Sequence, residues 1–183
     1  MTIEAGPDEL FTTLAQASDL EAVAGLINAA YRGAPSRRGW TSEAELIEGA
    51  RTDAAELAAL VRPEGNVLLV IRGNHSLNGC VHLERRERGT TYLGMLSVRP
   101  SMQGSLIGRQ LLSAAERYAR EHFGAQRIEL TVLEQRAELI AWYERRGYAR
   151  TGETRPFPYD SPGLGRPARE DLRFIVMERR LAP

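Results

Sequence analysis

The spacing of apolar residues changes several times along the chain, and each change marks an element. A short β-prone run, Phe11 to Ala15, comes first. Leu20, Val23, Ala24, Ile27 and Tyr31 then share one helical face, and Gly33 is placed to stop that helix. Ser18 and Glu21 have capping-box spacing, in which two helix-end donors are satisfied reciprocally. After a basic loop from Ala34 to Trp40, Thr41 and Ser42 predict the start of a second helical piece. Asp53 with Glu56 predicts a third, ended by Pro63.

The pattern turns to strands at Asn66–Arg72, Leu77–Glu87 and Thr91–Val98. Gly73-Asn74 and Arg88-Gly89 separate these runs, which predicts an antiparallel meander. From Leu106 the period is helical again: Leu106, Ile107, Leu111, Leu112, Ala115 and Ala119 form a stripe that runs toward Gly124. A strand over Arg127–Leu133, a helix over Ala137–Arg146 closed by Gly147, and strands at Tyr148–Thr154 and Leu172–Met177 follow. The long Pro- and Gly-rich stretch from Arg155 to Asp171 reads as a wall or lid of a site, since loops beyond about 12–15 residues are often functional. The order predicts an α/β (α+β) fold: a mixed, mainly antiparallel central sheet flanked by helices, with residues 1–183 as a single domain.

Composition narrows the function. Lys+Arg and Asp+Glu are both 24, so the net charge is zero, which argues against a nucleic-acid or anionic-membrane partner. The pairs Arg85-Arg86, Arg145-Arg146 and Arg179-Arg180 read as solvated faces. Cys80 is the single cysteine, so no internal disulfide forms, and its apolar run marks it as a core residue. His75, His82 and His122 lack paired metal-ligand spacing, and no metal is expected. Met1 to Leu10 carries acids and no apolar stretch of the secretory kind, and no run approaches the ~20 residues of a membrane span. The expectation is a soluble, cytoplasmic protein; a homodimer is left open.

The segment from Val98 to Arg109 carries the clearest chemistry. A strand ends, Gly104 and Gly108 follow, and a long amphipathic helix begins, so backbone N–H groups and the helix dipole converge where an anion can sit. A P-loop would need Gly-Lys-Ser/Thr where Gly108-Arg109-Gln110 stands, and the G-x-G-x-x-G of a dinucleotide fold is absent. Gln103-x-x-Leu106-x-Gly108 after Val98-x-Pro100 resembles motif A of the GNAT N-acetyltransferase superfamily. Trp142-Tyr143-Glu144-Arg145-Arg146-Gly147-Tyr148 is similar to the family's second signature, and the order of elements matches along the chain.

That resemblance implies acetyl-CoA as acyl donor, lying between two splaying central strands, and a primary amine of a small molecule or peptide as acceptor. The implied cofactor residues are Leu96 and Val98 through their backbone, Gln103, Gly104, Ser105, Leu106, Ile107, Gly108 and Arg109 in the loop, and Arg136. Two positions depart from the pattern. Leu106 stands where the family has glycine, and its place on the stripe predicts a side chain turned into the core. Arg136 stands where many relatives have asparagine, and an arginine there could pair with a CoA phosphate. Tyr143 matches the tyrosine that protonates the leaving thiolate. Tyr92 and Thr131 occupy positions where some relatives carry a basic glutamate, so no base is assigned; His82 and Glu84 lie on one face of a neighbouring strand. The acceptor side is expected to draw on Tyr31, Arg32, Arg37, Arg38 and Trp40 at the first loop and on Phe157, Tyr159 and Asp160 at the late one, the arginines pointing to an acceptor with a carboxylate or phosphate. A non-catalytic acyl-CoA-binding or regulatory protein of the same fold is the alternative.

Overall fold

The computed structural model describes residues 10–37, 39–73, 76–160 and 165–182. In chain order the elements are β1 (Phe11–Leu14), α1 (Leu20–Tyr31), α2 (Gly33–Ser36), β2 (Ile47–Glu48), α3 (Ala54–Val61), β3 (Asn66–Arg72), β4 (Leu77–Arg86) and β5 (Thr90–Val98). They continue with α4 (Ile107–Phe123), β6 (Arg127–Leu133), α5 (Ala137–Glu144), β7 (Ala149–Pro156), β8 (Arg166–Pro167) and β9 (Arg173–Arg180). Seven strands form one sheet in the order β1-β3-β4-β5-β6-β9-β7, while β2 and β8 form a separate two-stranded ribbon. Every pairing is antiparallel except that of β5 with β6.

The continuous apolar run in β3 follows from burial on both faces. Leu69 and Ile71 point into a cluster with Leu111, Leu112 and Ala115 of α4 and Ile140 of α5. Leu68 and Val70, offset by one residue, point the other way against Val23 and Ile27 of α1 and Leu57 of α3. Helix α4 buries its stripe from Ile107 to Ala119 and ends at Gly124, whose φ of 63° is the left-handed C-terminal conformation that glycine adopts without strain. Among the described residues no helix is long and apolar enough to cross a membrane.

Three local expectations are corrected. The capping interaction lies two residues upstream, with the Gln16 N–H donating to Asp19 Oδ2 at 2.7 Å, because a 3-10 turn over Ala17–Asp19 precedes α1. Helix α1 already stops at Tyr31; Arg32 is extended, and Gly33 opens the short α2. No helix starts at Thr41: the segment turns, with Leu46 and Ile47 both donating to the Glu43 carbonyl, and Ile47 then pairs with Pro167. Tertiary pairing with the late loop overrides the local helical pattern there. That pairing also divides the late loop, which begins only after β7 ends at Pro156. The third expected helix is present, with Asp53 Oδ1 accepting from the Glu56 N–H at 2.8 Å.

Candidate active site

Strands β5 and β6 pair over only Thr90–Tyr92 and Arg127–Glu129, then part. A one-residue bulge in β5 widens the opening: Cys80 faces Ser97 and His82 faces Gly94, and Met95 takes a φ of 53°. The strained residue is held by its own carbonyl, which accepts from Ser97 Oγ at 2.9 Å. The next carbonyl, Leu96, accepts from Tyr31 Oη at 3.3 Å. Two voids meet this opening. An inner cavity of about 110 Å³ lies between the parted strands, and an entrance cleft of about 340 Å³ lies over the start of α4.

The entrance cleft is lined by Leu96, Val98, Gln103, Gly104, Ser105, Leu106, Gly108, Arg109 and Trp40, so it unites most of the predicted cofactor residues. Leu106, at the N-cap of α4, offers no capping side chain; Ser105 Oγ accepts from the Ile107 N–H at 3.4 Å, and the following N–H groups of the first turn are left for an anion. Gly104 has a φ of 81°, as a tight loop against a helix start requires. A Cβ on Gly108 would stand 3.5 Å from Trp142 and 3.6 Å from Val98, narrowing the cleft. Gln103 closes one side, accepting from the Trp40 N–H at 2.6 Å and donating to the Val98 carbonyl at 3.2 Å. Arg145 and Arg146, read from sequence as a solvated face, also line this cleft. Arg146 lies 3.6 Å over the Trp142 ring and donates to the Trp142 carbonyl. Burial, then the charges of Arg145 and Arg109, lower its pKa below the usual guanidinium value, a sign of positive charge gathered in one place.

Leu106 does not turn inward. Its backbone is right-handed as expected, but the side chain is 66% exposed, because the helical stripe begins one residue later at Ile107. Ile107 itself is buried in the core.

The inner cavity gathers residues from distant parts of the chain: Tyr31, Glu43, Arg51, Tyr92, Thr131, Arg136 and Tyr143, with apolar walls that include Leu130, Leu139 and Phe174. Tyr92 Oη and Thr131 Oγ1 stand 2.9 Å apart and join the two strands across the gap. Tyr143 is buried beside Trp142 and Tyr148. Burial raises its phenol well above the ordinary value; Tyr31 and Tyr92 push the same way, while Arg136 and Arg146 oppose. Tyr31 is likewise pushed up to about 12, chiefly by burial. Both phenols therefore hold their protons at neutral pH.

Arg136 lines this inner cavity and not the entrance cleft. It is buried, donates to Glu43 Oε1 at 3.1 Å and to Thr41 Oγ1 at 3.0 Å, and lies 5.5 Å over the Tyr31 ring. Glu43 Oε2 accepts from Arg32 at 3.2 Å, completing a buried Arg32–Glu43–Arg136 triad. Sequence reasoning placed Arg32 on the acceptor side and missed Thr41, Glu43 and Arg51 as site residues. One signal was available: Arg136 is the residue before α5, where the helix dipole disfavours a cation, so a carboxylate partner is called for.

The other expected acceptor residues scatter. Arg37 is exposed, and Arg38 and His75 lie outside the described residues. Tyr159 props the late loop, its hydroxyl accepting from the Leu172 N–H at 2.7 Å, and lines neither void. His82 is buried against Asn66 Oδ1 at 3.0 Å, and burial lowers its pKa to about 4, so it is neutral; Glu84 binds Arg86. Neither lines the inner cavity. Burial pushes the Cys80 thiol up to about 12, as for an inert core residue.

No curated protein matches the sequence. Solved structures share the fold along nearly the whole chain. The ribosomal-protein-S18-alanine N-acetyltransferase of Escherichia coli superposes with a TM-score of 0.68 at 17% identity, covering 96% of each chain. The yncA protein of Salmonella typhimurium, solved with its cofactor acetyl-CoA, gives 0.65 at 22% identity over 94% of each chain. A mutant of the spermidine N-acetyltransferase SpeG from Vibrio cholerae gives 0.66 at 16% identity over 93% of each. The acetyltransferase (GNAT) family is matched by the sequence itself over residues 23–148, and with that match, on this sheet, the chain belongs to the GNAT acetyltransferase family.

Proposed function

We propose that the chain is a single acyl-CoA-dependent N-acetyltransferase domain that moves an acetyl group from acetyl-CoA to a primary amine. The observation that carries this reading is the junction of an arginine-rimmed helix start with a cavity between parted strands that holds a buried tyrosine. N-acetyltransferases among the solved neighbours support nitrogen as the acylated atom.

The entrance cleft fits the donor by its chemistry. The α4 N–H groups, Gln103 to Gly108 and the guanidinium groups of Arg109, Arg145 and Arg146 would hold its phosphates. Leu96 and Val98 supply backbone along the arm that leads inward. Acetyl-CoA, when bound, supplies an activated acyl group whose thiolate needs one proton on departure. Tyr143 is the group we assign to deliver it: its Oη keeps a proton at neutral pH, and it lines the cavity between the strands. Tyr31 steadies the bulge that presents Leu96.

The test is titration calorimetry with acetyl-CoA followed by an amine screen that reads free-thiol release. Acetyl-CoA binding with turnover of at least one amine is expected. A protein that binds no acyl-CoA refutes the reading, and one that binds acetyl-CoA without transferring to any amine is a sensor of the same fold.

A further inference from the structure

The charges of the inner cavity do not balance. Arg51 and Arg136 line it, and Glu43 is the one carboxylate among the residues lining the cavity. Both Glu43 oxygens are already engaged, one by Arg32 and the other by Arg136. Glu138 accepts from Thr41 nearby, but it lies at the exposed rim. Among the lining residues one positive charge is left in excess. Arg136 is 6% exposed, and its Nε is buried without a hydrogen-bond partner. Arg51 lines the same cavity and enters no ion pair among the described residues.

A surplus cation in a half-enclosed pocket costs stability, and a buried guanidinium donor left unmatched adds to that cost. The arrangement is offset when an anion enters. An arginine fork matches a carboxylate geometrically, and the triad fixes the Arg136 fork before any ligand arrives. The apolar walls of Leu130, Leu139 and Phe174 suit a short carbon skeleton, and the volume of about 110 Å³ admits a compact group only. A polyamine would bring like charge into this pocket.

Resting on the acetyltransferase reading above, we propose that the acceptor is a small amine that carries its own carboxylate, an amino acid, and that Arg136 and Arg51 receive that carboxylate in the inner cavity. The acceptor's anion is thus read by buried residues beside the reacting end of the site, and the exposed Arg37 is not needed for it.

The experiment has two arms. In the first, the protein amino acids, each beside its primary amide, and spermidine are offered with acetyl-CoA, and free thiol is followed. At least one amino acid should be acetylated with kcat/KM about 100-fold or more above its amide, because loss of the charge leaves the arginines unmatched. Arg51→Gln should raise KM for that amino acid about tenfold or more and leave the amide's KM unchanged. In the second arm, N-acetylated amino acids and their amides are titrated into the CoA-loaded protein, with binding of the acids alone expected. Amides or spermidine used as well as the acids, or acids and amides bound alike, would overturn the proposal. Selective binding of the acids with no turnover keeps the carboxylate site and removes the acetyltransferase reading. Acids neither bound nor acetylated remove the site.

Discussion

The entrance cleft takes most of its lining from one continuous stretch, Val98 to Arg109, with a helix face opposite, whereas the inner cavity is assembled from positions as far apart as Tyr31 and Phe174. The first region offers backbone: a helix start, glycines and carbonyls at the end of a strand. The second offers side chains, fixed by buried ion pairs and phenols. Backbone recognition tolerates many sequences and suits a donor common to a whole family. Side-chain recognition changes with each substitution, and it belongs on the side where a particular acceptor is chosen. Helix α5 serves both, turning Trp142 to the entrance and Tyr143 to the inner cavity.

The sharpest way to separate the two regions is Tyr143→Phe. The ring and its packing are kept and only the hydroxyl is removed, so a fall in kcat of about 10²–10⁴-fold is expected, with acetyl-CoA affinity unchanged by calorimetry. Unchanged kcat where chemistry limits turnover would remove Tyr143 from the reaction. Glu43→Gln strikes the other foundation of the inner cavity. It leaves Arg32 and Arg136 buried without their shared carboxylate, and about 3–5 kcal/mol of stability should be lost in urea denaturation, with little change in acetyl-CoA affinity while the protein stays folded. A loss below about 1 kcal/mol would mean that the triad does not organise the cavity. Leu106→Gly should have the smallest effect. With the side chain mostly in solvent, stability should change by less than about 1 kcal/mol, and acetyl-CoA affinity should stay within about tenfold, or 1.4 kcal/mol, by parallel titration of both proteins. A far larger gain in affinity would show that the leucine obstructs the loop.

The same contrast explains what could be read from the chain alone. The strand–loop–helix at Val98–Arg109, the meander β3-β4-β5 and the cap at Asp53 depend on residues a few positions apart, and spacing reveals them. Glu43 joins Arg32 across 11 positions and Arg136 across 93, and no local period encodes such a triad. The turn at Thr41–Leu46 was misread as helix for the same reason: its conformation answers to Tyr31, whose carbonyl accepts from the Glu43 N–H, and to the strand at Arg166–Pro167. Leu106 was misplaced by a single residue of phase, enough at a helix start to exchange core for solvent.

Three residue pairs of ladder, Thr90–Tyr92 with Arg127–Glu129, tie the first four strands of the sheet to the last three. The strands β3, β4 and β5 are successive hairpins, which close over short loops and assemble early in folding. On the other side, β6 must wait for β9, the last strand of the chain, before it gains a full-length partner. Across the seam the two blocks are joined mainly by side chains, in a cluster that runs from Leu69 and Leu83 through α4 to Ile175 and Met177. The shortest ladder of the seven-stranded sheet lies at this seam, so local opening of the native state is expected to follow this line. The gap that admits a substrate is also the fault line of the sheet.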